Sequence, residues 1–224
     1  MERIAKLIAR SGACSRRDAE KIISEGRVSH NGETVNTPAS KFDNLDGIKI
    51  DNVALKKASS RLWLYHKPFG LIVSHQDDLG RPTIFDNIPL SERVISVGRL
   101  DKNTSGLLLL TNDGEIARQF ELPSNNFKRI YMVRVYGHLH FDEMKEILAK
   151  GITLDGTIYR PVIIELEDSR ATNHWLRITI SEGKNREIRK ILDYFDLRIS
   201  KLIRIQYGPF TLDDLKLNSV CEVQ

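Results

Sequence analysis

The chain has 224 residues, 41% hydrophobic and 29% charged, which is ordinary globular usage and excludes a disordered or fibrous polymer. Lys and Arg total 34 and Asp and Glu 30, giving a net charge of +4 and a pI near 9.0, a weak pointer to a polyanionic partner. Cys14 and Cys221 stand near opposite ends, so they offer neither a disulfide framework nor metal-ligand spacing, and they fit a reducing compartment.

Met1 to Lys6 carries charges where a signal peptide needs its apolar core. The longest apolar runs, such as Leu107 to Leu110, fall far short of the roughly 20 residues that span a bilayer. A cytoplasmic protein with no membrane contact is expected.

Ile4, Leu7 and Ile8 recur at helical spacing until Gly12 stops the run. Ser15 then opens a second helix with Asp18 three residues on, a capping-box pattern, and the helix turns Ala19, Ile22 and Ile23 inward before Gly26. Asn31-Gly32 predicts a tight hairpin between short strands. Ile48 to Ile50 reads as a further strand turned by Asp51-Asn52. The polar stretch Lys56 to Ser60 reads as a linker, so the domains are expected to be 1–57 and 58–224.

Beyond the linker, strands are predicted at 62–65, 71–74, 94–97, 107–111, 130–136, 160–166, 174–180 and 199–207. Helices are predicted at 114–122, 141–150 and 185–194. The order does not alternate strictly, which points to an α+β fold with a mixed, mostly antiparallel sheet flanked by helices.

Basic charge gathers twice. Arg3, Lys6 and Arg10 form a stripe beside the apolar face of the first helix, and Arg16 and Arg17 sit in the first turn of the second. Two arginines there oppose the helix dipole, a small cost that a docked anion would offset. A solvated helix face explains the same pattern without RNA. The second cluster holds Lys184, Arg186, Arg189, Lys190, Arg198, Lys201 and Arg204, with Asn185 and Arg189 on one helix face and Arg186 and Lys190 on another.

Ser15-Arg16-Arg17-Asp18-Ala19-Glu20, Gly26-Arg27-Val28 and Asn31-Gly32 resemble the S4 RNA-binding module over about the first fifty residues. That resemblance implies that Arg3, Lys6, Arg10, Ser15, Arg16, Arg17 and Arg27 meet RNA. Further on, Gly98-Arg99-Leu100-Asp101-x-x-Thr104-x-Gly106 runs into Leu107-Leu108-Leu109-Leu110-Thr111-x-Asp113-Gly114. From spacing alone an Asp in such a loop is a turn-former, here through Thr104. The run resembles the signature of the ribosomal RNA pseudouridine synthases that carry an S4 domain.

His66-Lys67-Pro68-x-Gly70, Gly80-Arg81-Pro82-Thr83, the Lys128–Tyr131 strand and Glu182 to Lys190 agree in order, so the resemblance covers nearly the whole chain. The run around Asn185-Arg186-x-Ile188-Arg189 and Leu202 to Gly208 is most like the branch acting on large-subunit rRNA, the synthase B type. Glu187 stands where many relatives have Gln, and the basic C-terminal extension of some members is missing.

The resemblance implies isomerisation of uridine to pseudouridine in ribosomal RNA, 23S rRNA for this branch, by a monomer that needs no metal or other cofactor. It assigns Asp101 as the catalytic carboxylate, either as nucleophile or as the base that takes a ribose proton. Arg189 is expected to pair with Asp101 in a partly dry pocket. Tyr131 would stack on the uracil, Ile188 would pack on its other side, and Arg99 would fill the gap left by a flipped base. Arg81, Lys184, Arg186 and Lys190 join the expected RNA contacts.

Each has a plainer reading: a core tyrosine, an ion-pair arginine, surface cations. Cys14, Cys221 and the His138-x-His140 pair receive no chemistry. A non-catalytic S4-type assembly factor is the alternative, set against by the intact Asp101, Tyr131 and Arg189. A metal-dependent phosphate enzyme would want clustered carboxylates, and the adjacent pair Asp77-Asp78 lacks helpers.

Overall fold

The structure, a computed structural model, describes residues 1–224. Two compact units emerge: Met1–Arg61 with Leu90–Ile95 and Thr111–Ile116, and the remainder, Leu62–Pro89, Ser96–Leu110 and Ala117–Gln224.

In the first unit, β1 (Glu2–Arg3) leads into α1 (Ile4–Arg10), followed by α2 (Arg16–Ser24), β2 (Val28–His30), β3 (Glu33–Thr34), β4 (Lys41–Phe42), β5 (Ile48–Ile50) and β6 (Val53–Ala54). The apolar stripes of the two helices meet over Val28, Val35 and Ile48, so Ile4, Leu7, Ile8, Ala19 and Ile23 are buried together. The expected capping box is present: the Ser15 hydroxyl accepts from the Asp18 N–H, and the Asp18 carboxylate accepts from the Ser15 N–H. Asn31 and Gly32 take φ of 50° and 91°, the left-handed pair that a two-residue hairpin needs, and they join β2 to β3.

The second unit is built on a nine-stranded sheet. Its strands are β7 (Leu62–Lys67), β8 (Ile95–Val97), β9 (Ser105–Thr111), β10 (Arg129–Tyr136), β13 (Ile163–Arg170), β14 (Asn173–Ile180), β15 (Arg198–Tyr207), β16 (Phe210–Thr211) and β17 (Val220–Glu222), while β11 (Ile152–Leu154) and β12 (Thr157–Tyr159) form a separate hairpin. The order is β13-β14-β10-β15-β9-β7-β17, and β15 pairs with β9 in parallel. The pairs β10–β14, β10–β15, β13–β14, β15–β16 and β17–β7 are antiparallel. Helices α3 (Gly114–Glu121), α4 (Phe141–Lys150) and α5 (Glu187–Tyr194) complete it, giving the expected α+β fold.

Four differences have local causes. The stretch 71–74 forms no strand and holds only a bridge from Ile72 to Thr83. The strand expected at 160–166 starts at Ile163, because Pro161 has no N–H to give a ladder and the Arg160 N–H is taken by the Glu182 carboxylate. The hairpin β11–β12 was not expected, although Asp155-Gly156 supplies its turn at φ of 47° and 73°. Finally, α5 begins at Glu187, since Arg186 sits at φ 54° and lies outside the helix.

Candidate active site

The loop between β8 and β9 carries Asp101. Its glycines do the bending: Gly98 has φ 66° and Gly106 φ 107°. At Gly106 a Cβ would lie 2.3 Å from the Arg204 carbonyl oxygen, so glycine alone permits the parallel approach of β9 to β15. The loop closes on the main chain, where the Thr104 N–H donates to the Asp101 carbonyl at 3.0 Å. The turn therefore leaves the Asp101 carboxylate free for other partners.

Those partners are guanidiniums from the start of α5. Arg189 Nε lies 3.5 Å and Arg186 Nη1 3.7 Å from Asp101 Oδ2. Arg189 also donates to the Asn103 carbonyl at 2.5 Å and to the Thr104 hydroxyl at 3.2 Å, tying the loop to the helix. Burial disfavours its charge and Asp101 favours it, so the Arg189 guanidinium depends on the carboxylate it faces.

A second anchor comes from β7. Period-2 alternation puts Trp63, Tyr65 and Lys67 on one buried face. Lys67 Nζ donates to the carbonyls of Pro68 and Thr104, both at 2.9 Å, and the Gly70 N–H donates to the Lys102 carbonyl at 2.9 Å. Burial pushes this ammonium down to about 8, with Asp101 pulling it back up. The Lys-Pro-x-Gly turn thus grips the Asp101 loop at two points.

Asp101 opens onto a cleft of about 130 Å³. Tyr131 from β10, Ile188 and Arg189 from α5, and Arg99 from the loop all line it, as do Lys184, Arg186, Glu187 and Arg204. Tyr131 and Ile188 are buried and Arg99 is exposed. Arg204 lies across the ladder from Tyr131, donates Nε to the Leu107 carbonyl at 2.7 Å, and stacks on the Tyr207 ring at 4.8 Å. Arg129 covers the same ring at 4.6 Å and donates to the Tyr207 hydroxyl at 2.9 Å. Glu187 accepts from the Lys184 N–H at 2.9 Å, and burial, helped by the Glu182 carboxylate, pushes it up to about 7.

One carboxylate thus stands between two guanidiniums at a cleft that a buried aromatic ring also lines. The RNA pseudouridylate synthase family profile matches residues 61–194, which include Asp101, Tyr131 and Arg189, and the S4 domain profile matches residues 2–43. The chain belongs to the RNA pseudouridylate synthase family.

An RNA pseudouridine synthase of Rickettsia felis, itself uncharacterised, is 48% identical over 224 residues, covering 100% of this chain and 97% of that one. The ribosomal large subunit pseudouridine synthase B of Yersinia pestis is 37% identical over 219 residues, covering 94% of this chain and 69% of the relative. A crystal structure of a pseudouridylate synthase superposes with a TM-score of 0.70 at 26% identity, covering 100% of this chain and 96% of the other.

The synthase spends many of its expected RNA-facing cations on neighbouring acids. Lys6 pairs with Glu2 at 2.6 Å and Glu115 at 2.7 Å, and Arg10 with Glu2 at 2.9 Å. Arg27 pairs with Asp51 at 2.5 Å and Glu25 at 3.2 Å, and Arg16 with Glu20 at 3.7 Å. Arg81 closes its own loop on Asp77 at 2.5 Å, and Lys184 contacts Glu182. Arg3, Arg17 and Lys190 are exposed without such pairs, while Ser15 is committed to its cap. No helix is long and apolar enough to cross a membrane.

Arg129, Arg204 and Glu187 line the cleft and Lys67 braces the Asp101 loop, places that their residue types do not announce. For Lys67 the signal was present, since it follows Trp63 and Tyr65 at spacing of two on a strand.

Proposed function

We propose that the protein isomerises uridine to pseudouridine in ribosomal RNA, with large-subunit rRNA as substrate, acting as a monomer in the cytoplasm. Residues 1–57 serve as the RNA-binding domain and residues 58–224 as the catalytic domain. The observation that supports this reading is the Asp101 carboxylate, released from its own turn and set between Arg189 and Arg186 at a cleft that also holds Tyr131. The Yersinia pestis relative, named for the large ribosomal subunit, supports the substrate.

The reaction breaks the bond from ribose C1′ to uracil N1, turns the base, joins C1′ to C5, releases the proton on C5 and adds one at N1, with no net oxidation or hydrolysis. It needs one carboxylate close to the sugar, and Asp101 supplies it. Arg189 keeps that carboxylate in place through an ion pair in a half-buried site, where an unpaired charge would be costly. Tyr131 stacks on the uracil and Ile188 closes the other side. The base reaches the cleft by leaving its helix, which costs a few kcal/mol, and the exposed Arg99 fills the space left behind. Arg3, Arg16, Arg17, Arg81, Lys184, Arg186 and Lys190 meet phosphates, exchanging their acidic neighbours for RNA where they have them.

Pseudouridine mapping of rRNA from cells with and without the gene tests the reading. One large-subunit pseudouridine is expected to vanish without the protein; identical maps would overturn it.

A further inference from the structure

Arg186 and Arg189 line the Asp101 cleft and also a second groove of about 410 Å³. Lys190 and Asp193 continue this groove along α5, one and two turns beyond Arg186, and Arg198 faces it from the first residue of β15. Leu197 and Ile199 supply its apolar part. The groove and the cleft thus adjoin, and the two guanidiniums that hold Asp101 stand between them. Hydrogen bonds fix the return of the chain that sets Arg198 beside the helix. The Asp196 N–H donates to the Asp193 carbonyl at 3.0 Å and the Leu197 N–H to the Leu192 carbonyl at 2.9 Å.

Positive charge is left uncompensated here. Lys6, Arg10, Arg27 and Arg81 each rest against a carboxylate. Lys190 and Arg198 are exposed and make no ion pair, and Arg186 and Arg189 share the one Asp101 carboxylate. Four cations therefore surround a groove whose single acid is Asp193. Like charges gathered in this way repel one another, and a polyanion laid among them relieves the repulsion. Arg186 also holds φ at 54° without being glycine, a strain that persists at functional sites.

Resting on the reading of the Asp101 cleft as the uridine site, we propose that this groove holds the RNA backbone beside the target nucleotide. Arg198 and Lys190 bind phosphates of that strand, and Leu197 and Ile199 lie against its sugars. From Arg186 to Asp193 the helix rises roughly 10 Å, or about three nucleotides at the ~3.4 Å rise of one strand. The contact adds Arg198 to the RNA-binding residues and gives them an order along the chain of nucleotides. Phosphate contacts position a strand without reading its sequence, so the groove sets where the uridine enters the cleft and leaves the choice of base to other residues.

The test uses the full chain and a large-subunit rRNA fragment containing the uridine that rRNA mapping identifies. Arg198→Ala is expected to weaken binding about threefold to tenfold and to lower the slope of log affinity against log salt by about 1. Lys201→Ala removes the same charge from an exposed position of β15 outside the groove, and is expected to change affinity by less than about twofold. Equal losses from the two would make the effect one of net charge and overturn the groove. Asp193→Asn is expected to tighten binding about twofold to fivefold, and unchanged or weaker binding would contradict the placement of phosphate there.

Fragments that each carry one uncharged methylphosphonate linkage locate the contact. On one side of the uridine, within about three nucleotides, a neutral linkage should weaken binding to the unaltered protein and cost the Arg198→Ala protein nothing further. The absence of any such linkage overturns the proposal. If the unaltered protein converts the mapped uridine while these dependences fail, only the groove falls. If mapping finds no uridine that the protein converts, the enzymatic reading falls and the groove with it.

Discussion

The two basic regions of the molecule handle charge in opposite ways. In the first unit the cations pair with exposed or partly exposed acids, as Lys6 does with Glu2 and Glu115 and Arg27 with Asp51 and Glu25. Such pairs are worth little and exchange readily. Around the Asp101 loop Lys67 and Arg204 are buried and Arg189 is partly buried, and each is tied to main-chain carbonyls besides whatever charge it faces. A buried cation without its partners is expensive, so these side chains are fixed in place. The contrast teaches that exposed charge is free to exchange partners, while buried charge is fixed where it stands.

The sharpest way to break the cleft is at its glycine. Gly106→Ala puts a methyl group against the Arg204 backbone at a left-handed φ and should cost roughly 3–5 kcal/mol of stability, read by denaturant unfolding. A loss below about 1 kcal/mol would mean that β9 and β15 can separate freely. Lys67→Met comes next. Removing the ammonium frees the Thr104 carbonyl and loosens the Asp101 loop, so kcat should fall tenfold to a hundredfold while RNA affinity stays within about twofold. An unchanged kcat would show that the turn at Lys67 does not position the carboxylate.

Glu187→Gln separates burial from charge by pH. Between the ordinary glutamate value of 4.5 and about 7, the folded chain keeps a proton that the unfolded chain releases. The stability this provides is whole below the lower value and lost as pH rises through the upper one. Glutamine does not titrate, so its advantage over the parent should grow by roughly 1–3 kcal/mol from pH 5 to pH 8. A difference that is flat with pH would contradict the burial argument. The smallest effect belongs to the exposed cations: Arg16→Ala with Arg17→Ala should change stability by under about 0.5 kcal/mol and reduce the slope of log affinity for rRNA against log salt by about 1–2. An unaltered slope would remove these residues from the phosphate contacts.

Much of this organisation is legible in the sequence because local chemistry writes it there. Ser15 with Asp18, Asn31-Gly32, and the glycines around Asp101 each do in the structure what their residue types require. The burial of Lys67 and Arg204 is not announced by their type, because a charged residue suggests solvent. Their strand neighbours carry the opposite message, since Lys67 shares its face with Trp63 and Tyr65, and Arg204 shares its face with Leu202. The start of α5 was legible only to within a turn, because nothing local announces the left-handed Arg186. The neighbours of Lys6 and Arg10 include Glu115, distant in sequence, and only tertiary structure brings such acids to a basic stripe.

The central claim is that the Asp101 carboxylate does the chemistry while the cleft around it does the holding. Asp101→Asn keeps the side chain's size and removes its charge. Assayed on the rRNA fragment, the variant should form no pseudouridine at any enzyme concentration, yet bind the fragment within about threefold of the parent and unfold at a similar denaturant midpoint. Conversion at the parental rate by that variant would contradict the account.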